Sequence, residues 1–232
     1  MNQPVSRLLH PDAAPVDLSH VETWLFDMDN TLYPASANLF AQIDRKMEAY
    51  VGTLLGLSRE EARVVQKRFF HEHGTTLRGL MLSHNVDPVH FLDFVHDIDM
   101  GVLTLDPRLP LALERLPGRK LVFTNGDVDY AGRVLGVLGI ADCFEAVYDI
   151  HAMGYLPKPD ARAYAGICER HGIDPATALF ADDMAHNLLP AKALGMTTVW
   201  VNNGSEWGNH AASAAAIDIE IHDVADWLEE II

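Results

Sequence analysis

Short apolar runs and helical periodicities alternate along most of this chain. Residues 21–26 (VETWLF) form a compact apolar run that stops at an aspartate, and they read as a buried strand. Similar runs recur at 120–123 (KLVF), 144–148 (FEAVY), 178–181 (ALFA) and 197–201 (TTVWV). Between the later runs, 127–138, 160–171 and 185–194 have a helical pattern, and each ends before a glycine: Gly139, Gly172 and Gly195. Strands alternating with glycine-stopped helices predict an α/β fold, a parallel sheet with helices on both faces. The tail adds a possible edge strand at 217–221 and a short helix through Trp227.

The rhythm breaks after the first strand. No convincing strand pattern lies between about residues 35 and 96. Phe40, Ile43, Met47, Tyr50 and Val51 follow a helical period. Ser58 followed by Glu61 has the capping-box spacing and opens a helix through about His71. Two shorter helices are expected at 77–84 and, after Asp87-Pro88, at 89–96. The predicted organisation is an N-terminal arm at 1–18, an α/β core at 19–34 and 104–232, and an all-helical insert at 35–103. The small-residue tract 211–216 reads as a loop or a helix start.

Composition narrows the class. The chain has 232 residues, 49% hydrophobic and 22% charged, which suits a globular protein with one main core. It shows no spanning apolar run and no signal-peptide pattern, so a cytoplasmic protein is expected. Cys143 and Cys168 lack metal-ligand spacing and read as buried thiols rather than a disulfide. A net charge of -16 argues against nucleic acid and anionic membranes as partners. It also repels phosphorylated small molecules, so a phosphate site here needs local positive charge.

Four segments fall where the expected strands end, the edge at which parallel sheets bind ligands. They are Asp27-Met28-Asp29-Asn30-Thr31, Thr124-Asn125-Gly126, Lys158-Pro159-Asp160 and Asp182-Asp183. Asp27 and Asp29 are two apart, so on extended backbone both face one site. Each segment alone also reads as ordinary turn or capping chemistry. As a set, several converging carboxylates need compensation, and Mg²⁺ with oxygen ligands supplies it.

On these motifs the sequence resembles the haloacid dehalogenase-like superfamily of phosphohydrolases, and its insert sits where one branch, subfamily IA, carries a cap. The resemblance implies a Rossmann-like core and these roles. Asp27 is the nucleophile that becomes an aspartyl-phosphate, and Asp29 is the general acid and base. Thr124 and the Asn125 N–H hold phosphoryl oxygens, and Lys158 neutralises charge. Mg²⁺ is held by Asp27, the Asp29 carbonyl and Asp183, with Asp182 behind them; which aspartate of the doublet touches metal stays open.

The stretches DMDNTLYP, GTTLRGL at 74–80 and FTNGD resemble the pyrimidine 5′-nucleotidase branch. That implies a pyrimidine nucleoside monophosphate as substrate, with Asn30, Tyr33 and Arg78 as contacts to the leaving group. The 74–80 stretch also reads as an interhelical turn with a surface arginine. His71, His73, His84, His90 and His96 read as scattered solvated histidines, and Phe69, Phe70, Phe91 and Phe94 as packing within the insert. Rival readings are a phosphatase or phosphomutase of this fold acting on sugar phosphates and, outside enzymes, a phospho-aspartate receiver.

Overall fold

The computed structural model describes residues 16–204, 208–209 and 213–232. Most of the expected 1–18 arm and the start of the 211–216 tract lie outside the described residues. Strands β1 (Thr23–Phe26), β2 (Arg119–Phe123), β3 (Ala146–Tyr148), β4 (Ala178–Asp182), β5 (Thr197–Val201) and β6 (Ile219–Ile221) form one sheet in the order β3-β2-β1-β4-β5-β6. Every pairing is parallel. All residues of β1 and β4 are buried, as their unbroken apolar runs require of strands covered on both faces. The tail segment forms the edge strand β6, paired to β5. β3 is shorter than its apolar run, because a 3-10 turn at Ala141–Cys143 extends its capping bond to Phe144 and delays the strand.

Five helices separate β1 from β2: α1 (Leu39–Leu55), α2 (Arg59–His73), α3 (Thr76–His84), α4 (Pro88–Val95) and α5 (Arg108–Arg115). The later helices are α6 (Val128–Val137), α7 (Ala161–His171), α8 (Leu188–Leu194) and α9 (Val224–Ile231). α5 was not expected from periodicity; it is short, and it packs against α9 at the far end of the chain. Trp227 of α9 meets Trp24 of β1 edge-on at 6.2 Å, so the tail helix closes over the central strand. α8 starts later than its sequence pattern, after a 3-10 turn at Ala185–Asn187. Pro190 has no N–H to give to the His186 carbonyl, so it fits the first turn of a helix but not its interior.

Within the insert, the Ser58 box is present: Ser58 Oγ accepts from Glu61 N–H at 3.3 Å, and Ser58 N–H donates to Glu61 Oε2 at 2.9 Å. α1 packs against α2 and α4. Buried Glu48 on α1 accepts from Arg59 Nε at 2.8 Å and from Arg63 Nη1 at 3.0 Å, which ties α1 to α2. Among the described residues, no helix is long and apolar enough to cross a membrane. Cys143 and Cys168 are free and only half-buried.

This topology creates the site. From β1 the chain moves outward to β2 and β3, then returns to place β4 on the other flank of β1. Such a reversal opens a crevice beyond the carboxyl ends of the strands.

Candidate active site

The residues at the ends of β1 and β4 are drawn together by one lysine. Lys158 is buried to 1% exposure, and its ammonium donates to Asp27 Oδ1 at 2.7 Å, Asp182 Oδ2 at 2.7 Å and the Phe123 carbonyl at 2.8 Å. The Phe123 and Phe180 rings lie 5.1 and 5.2 Å from the ammonium, so its walls are π faces. Burial acts most strongly on Lys158 and pulls its pKa down, but Asp182 and Asp27 together outweigh it and hold the ammonium above its ordinary range. Burial pushes the Asp27 carboxyl up to about 6, with Lys158 pulling the other way. Asp183 is pushed well above the carboxylate range by burial and by the neighbouring charges of Asp182 and Asp27.

Thr31 links these carboxylates. Its hydroxyl donates to Asp27 Oδ2 at 3.3 Å and accepts from the Asp183 N–H at 3.1 Å. Thr124 is buried, and its oxygen accepts from the Gly126 N–H at 3.0 Å, leaving its own O–H to donate elsewhere. The Asn125 side chain clamps the Lys158 backbone from both sides, accepting from its N–H at 2.9 Å and donating to its carbonyl at 3.2 Å. Loops after β1, β2 and β4 are thereby fixed to the loop that carries Lys158.

Asp29 stands on the same wall in a different setting. Its Oδ1 accepts two phenol hydroxyls, from Tyr33 at 2.5 Å and Tyr130 at 2.6 Å. Burial and the nearby Asp27 charge raise its pKa, and the two phenols offset this only in part. Tyr130 is itself held on one face: the His96 ring stacks on it at 4.2 Å with an interplanar angle of 11°. His96 Nδ1 lies 2.5 Å from Asp127 Oδ2, and Asp127 also caps α6 through the Tyr130 N–H at 2.8 Å. The solvated reading of the insert histidines therefore fails for His96, which is 6% exposed and paired with a carboxylate. His71, His84 and His90 are exposed as expected.

One cavity of about 470 Å³ takes in Asp27, Asp29, Asn30, Thr124, Asn125, Lys158 and Asp183 at its core end. Its opposite walls come from the insert, including Phe40, Phe70, Phe91 and Gln66. Of the expected leaving-group contacts, Asn30 lines this cavity with left-handed backbone (φ 57°), and its carbonyl accepts from Asn203. Tyr33 is buried behind it on Asp29 instead of lining it. Arg78 faces a second depression beside Pro157 and Pro159, and its Nη1 pairs with Asp160 Oδ2 at 3.4 Å. It joins the insert to the start of α7, and Arg162 shares the same carboxylate at 2.6 Å. The 74–80 stretch is mostly helix rather than turn, with Thr75 capping α3 through the Arg78 N–H at 3.2 Å. Phe69 and Phe91 pack inside the insert as expected, whereas Phe94 is exposed and Phe70 half-buried.

The donor set suits a hard cation. Carboxylate oxygens of Asp27, Asp182 and Asp183 all lie within 4.8 Å of one another, with no nitrogen or sulfur ligand among them. Asp182 is held on both oxygens. Its oxygens accept from Lys158 Nζ, from the Met184 N–H at 2.8 Å and from Asn187 Nδ2 at 3.0 Å.

Tyr130, Asn187 and Gln66 carry no assignment from the sequence, Thr31 and Asp127 figure there only as a motif position and a helix start, and His96 only as a solvated histidine. A signal existed for Tyr130 and Asn187. Each lies in the first turn after a strand-end motif, where a short reach returns the side chain to the crevice.

Three kinds of likeness to known proteins accord with this arrangement. The family model described as "Hydrolase: haloacid dehalogenase-like hydrolase" matches residues 21–195. The chain is 27% identical over 191 residues to Phosphate metabolism protein 8 of Saccharomyces cerevisiae, covering 75% of this chain but only 60% of that longer protein. Among solved structures, the HAD phosphatase of Thermococcus onnurineus superposes with a TM-score of 0.60 at 21% identity, over 91% of this chain and 98% of that one. The L-2-haloacid dehalogenase of Xanthobacter autotrophicus with chloropropionic acid covalently bound superposes with a TM-score of 0.57 at 17% identity, with the same coverage. These structural likenesses are of fold, whereas the family match covers the strand-end motifs themselves: this chain belongs to the haloacid dehalogenase-like hydrolase family.

Proposed function

We propose that this protein is a magnesium-dependent phosphomonoester hydrolase working through an aspartyl-phosphate on Asp27, and more specifically a cytoplasmic pyrimidine 5′-nucleotidase acting on UMP and CMP. The observation that carries the reading is a pair of carboxylates, Asp27 and Asp29, on one cavity wall, with the Lys158 ammonium 2.7 Å from the first. A dehalogenase needs the nucleophile but not a second carboxylate that gives and then takes a proton. The solved relatives of this fold include both chemistries, so fold does not choose between them. The phosphate-metabolism relative leans the same way as Asp29.

In this reading Asp27 attacks phosphorus while Asp29 protonates the departing oxygen. Asp29 then takes a proton from the water that hydrolyses the aspartyl-phosphate. Its raised pKa favours the protonated form that the first step requires. The Thr124 hydroxyl and the Asn125 N–H hold phosphoryl oxygens, and Lys158 offsets their charge. Asp27, Asp183 and the Asp29 carbonyl would hold Mg²⁺, while Asp182 is retained by Lys158 and Asn187 and supports them. The cation, when bound, supplies positive charge beside the transferring phosphoryl group. Uncatalysed hydrolysis is slow enough that roughly 20 kcal/mol must be removed from the barrier, and fixed charge and positioning carry most of it. Residues 35–103 act as a cap over the core at 19–34 and 104–232, excluding water and contacting the leaving group.

The test is phosphate release from UMP with Mg²⁺ and with a chelator. Asp27→Asn should lower kcat at least about 10³-fold, and chelation should abolish turnover. Undiminished activity in either case sinks the mechanism. Phosphate moved to an acceptor would indicate a phosphotransferase, and a phosphoenzyme lasting minutes would indicate a receiver. Halide release from a 2-haloacid without phosphatase activity would indicate a dehalogenase.

A further inference from the structure

A residue that lines the insert end of the cavity carries a buried acceptor without a hydrogen-bond partner. Gln66 is 2% exposed and lines the cavity. Its Nε2 donates to Asp44 Oδ1 at 2.8 Å, and its Oε1 has no hydrogen-bond partner. The amide cannot turn over, because that would set its carbonyl against the Asp44 carboxylate. Asp44 is itself fixed by Lys67, whose ammonium lies 3.0 Å from Oδ2 and 3.3 Å from Oδ1. Both Asp44 and Lys67 also line the cavity. The result is a locked acceptor beside a cation, at the far side of the same cavity whose core end holds Asp27 and Lys158.

The surroundings limit what can meet that acceptor. Phe40, Met47, Phe70 and Phe91 line the cavity around this end, presenting flat or soft apolar surface. A polyhydroxylated sugar would have to bury several hydroxyls against these apolar walls, and Gln66 Oε1 could receive only some of them. A planar heterocycle buries apolar faces and carries its polar atoms on one edge. A volume of about 470 Å³ lies within the ordinary range for sites that enclose a ligand of this size. Gln66 Oε1 takes an edge N–H, the ring N–H of uracil or the amino N–H of cytosine, and Lys67 suits a carbonyl on the same base.

We propose that Gln66, held by Asp44 and Lys67, is a specificity-determining residue that accepts a hydrogen bond from the N–H edge of a nucleobase on the leaving group. This rests on the phosphatase reading and deepens it. It places base recognition on α1 and α2, not on Arg78.

The test separates the two claims. Hydrolysis of p-nitrophenyl phosphate by the wild-type protein with Mg²⁺ asks only whether the phosphatase reading stands; its absence would remove both. Given that activity, UMP should be preferred over ribose 5-phosphate in kcat/KM by at least about tenfold, and over 3-methyl-UMP, whose N–H is blocked, by about tenfold or more. Gln66→Leu should narrow the preference for UMP over ribose 5-phosphate by about tenfold. The inference is overturned if wild-type protein treats UMP and 3-methyl-UMP alike, or if it prefers ribose 5-phosphate. It is overturned equally if Gln66→Leu lowers both substrates by the same factor, which would mark a packing role. Should that variant not fold, the substrate comparisons on wild-type protein decide the matter alone.

Discussion

Asp29 is the residue whose surroundings say most about its work. Two phenols donate to Oδ1, so in the phosphatase reading Oδ2 is the oxygen to carry a proton and Tyr33 and Tyr130 are positioning residues. Tyr130→Phe and Tyr33→Phe should each lower kcat on UMP by about tenfold, within the span that general acid catalysis supplies. The loss on p-nitrophenyl phosphate should be clearly smaller, because that leaving group departs without a proton; equal losses on both substrates would mean the phenols serve packing alone. Lys158 makes a different prediction. Removing it leaves Asp27 and Asp182 buried without their countercharge, so Lys158→Met should cost the metal-free protein about 3–5 kcal/mol in urea unfolding. A change below about 1 kcal/mol would show that the pair is not held as a buried ion cluster. At this scale Asp27, Thr124 and Asp182 could be read in the sequence as strand-end positions, since each follows an apolar run directly. Tyr130 and His96 could not: their role depends on a ring stack between α6 and the end of α4, which lie 34 residues apart in the chain.

The elements were legible where their signals are local. Capping and breaking residues act within one turn, so Ser58, Asp87, Asp127 and Asp160 mark helix starts in sequence as in structure. α5 escaped because its burial comes from α9, more than a hundred residues later. Gly79 shows the same limit. The helix expected at 77–84 already contains it, but only the structure shows why a glycine stands there: in α3 an added Cβ would come within 2.4 Å of the Phe69 ring. The glycine serves the close approach of α2 and α3. Gly79→Ala, although favourable for an isolated helix, should destabilise the protein by about 1–3 kcal/mol through overpacking. A companion Phe69→Leu should recover part of that loss in thermal unfolding. A neutral or stabilising Gly79→Ala would mean that α3 can shift away from α2 without penalty.

At the scale of the whole molecule, the sequence alone could say that a phosphate site in a chain of net charge -16 needs local positive charge, but not how that need varies with pH. The buried carboxylates supply the variation. Asp27 has a native pKa of about 6 against an ordinary 3.8, with Asp29 and Asp183 shifted in the same direction. Between about pH 4 and 6, the metal-free native state therefore holds more protons than the unfolded chain. Its stability should fall as pH rises through that window, and the Asp27 share of the penalty should be fully present above it. A bound divalent cation replaces those protons, so its benefit is small where they are retained and large where they are lost. The melting temperature of chelator-treated protein should rise on adding Mg²⁺ by clearly more at pH 7.5 than at pH 5. Sodium chloride at matched ionic strength controls for screening of the general negative charge. Asp183→Asn should remove most of the magnesium-specific shift, because the oxygens of Asp182 are already engaged by Lys158, Met184 and Asn187. An equal shift at both pH values would separate the carboxylate cluster from metal binding. An unchanged shift in Asp183→Asn would move the direct contact to Asp182 and require Lys158 to release it.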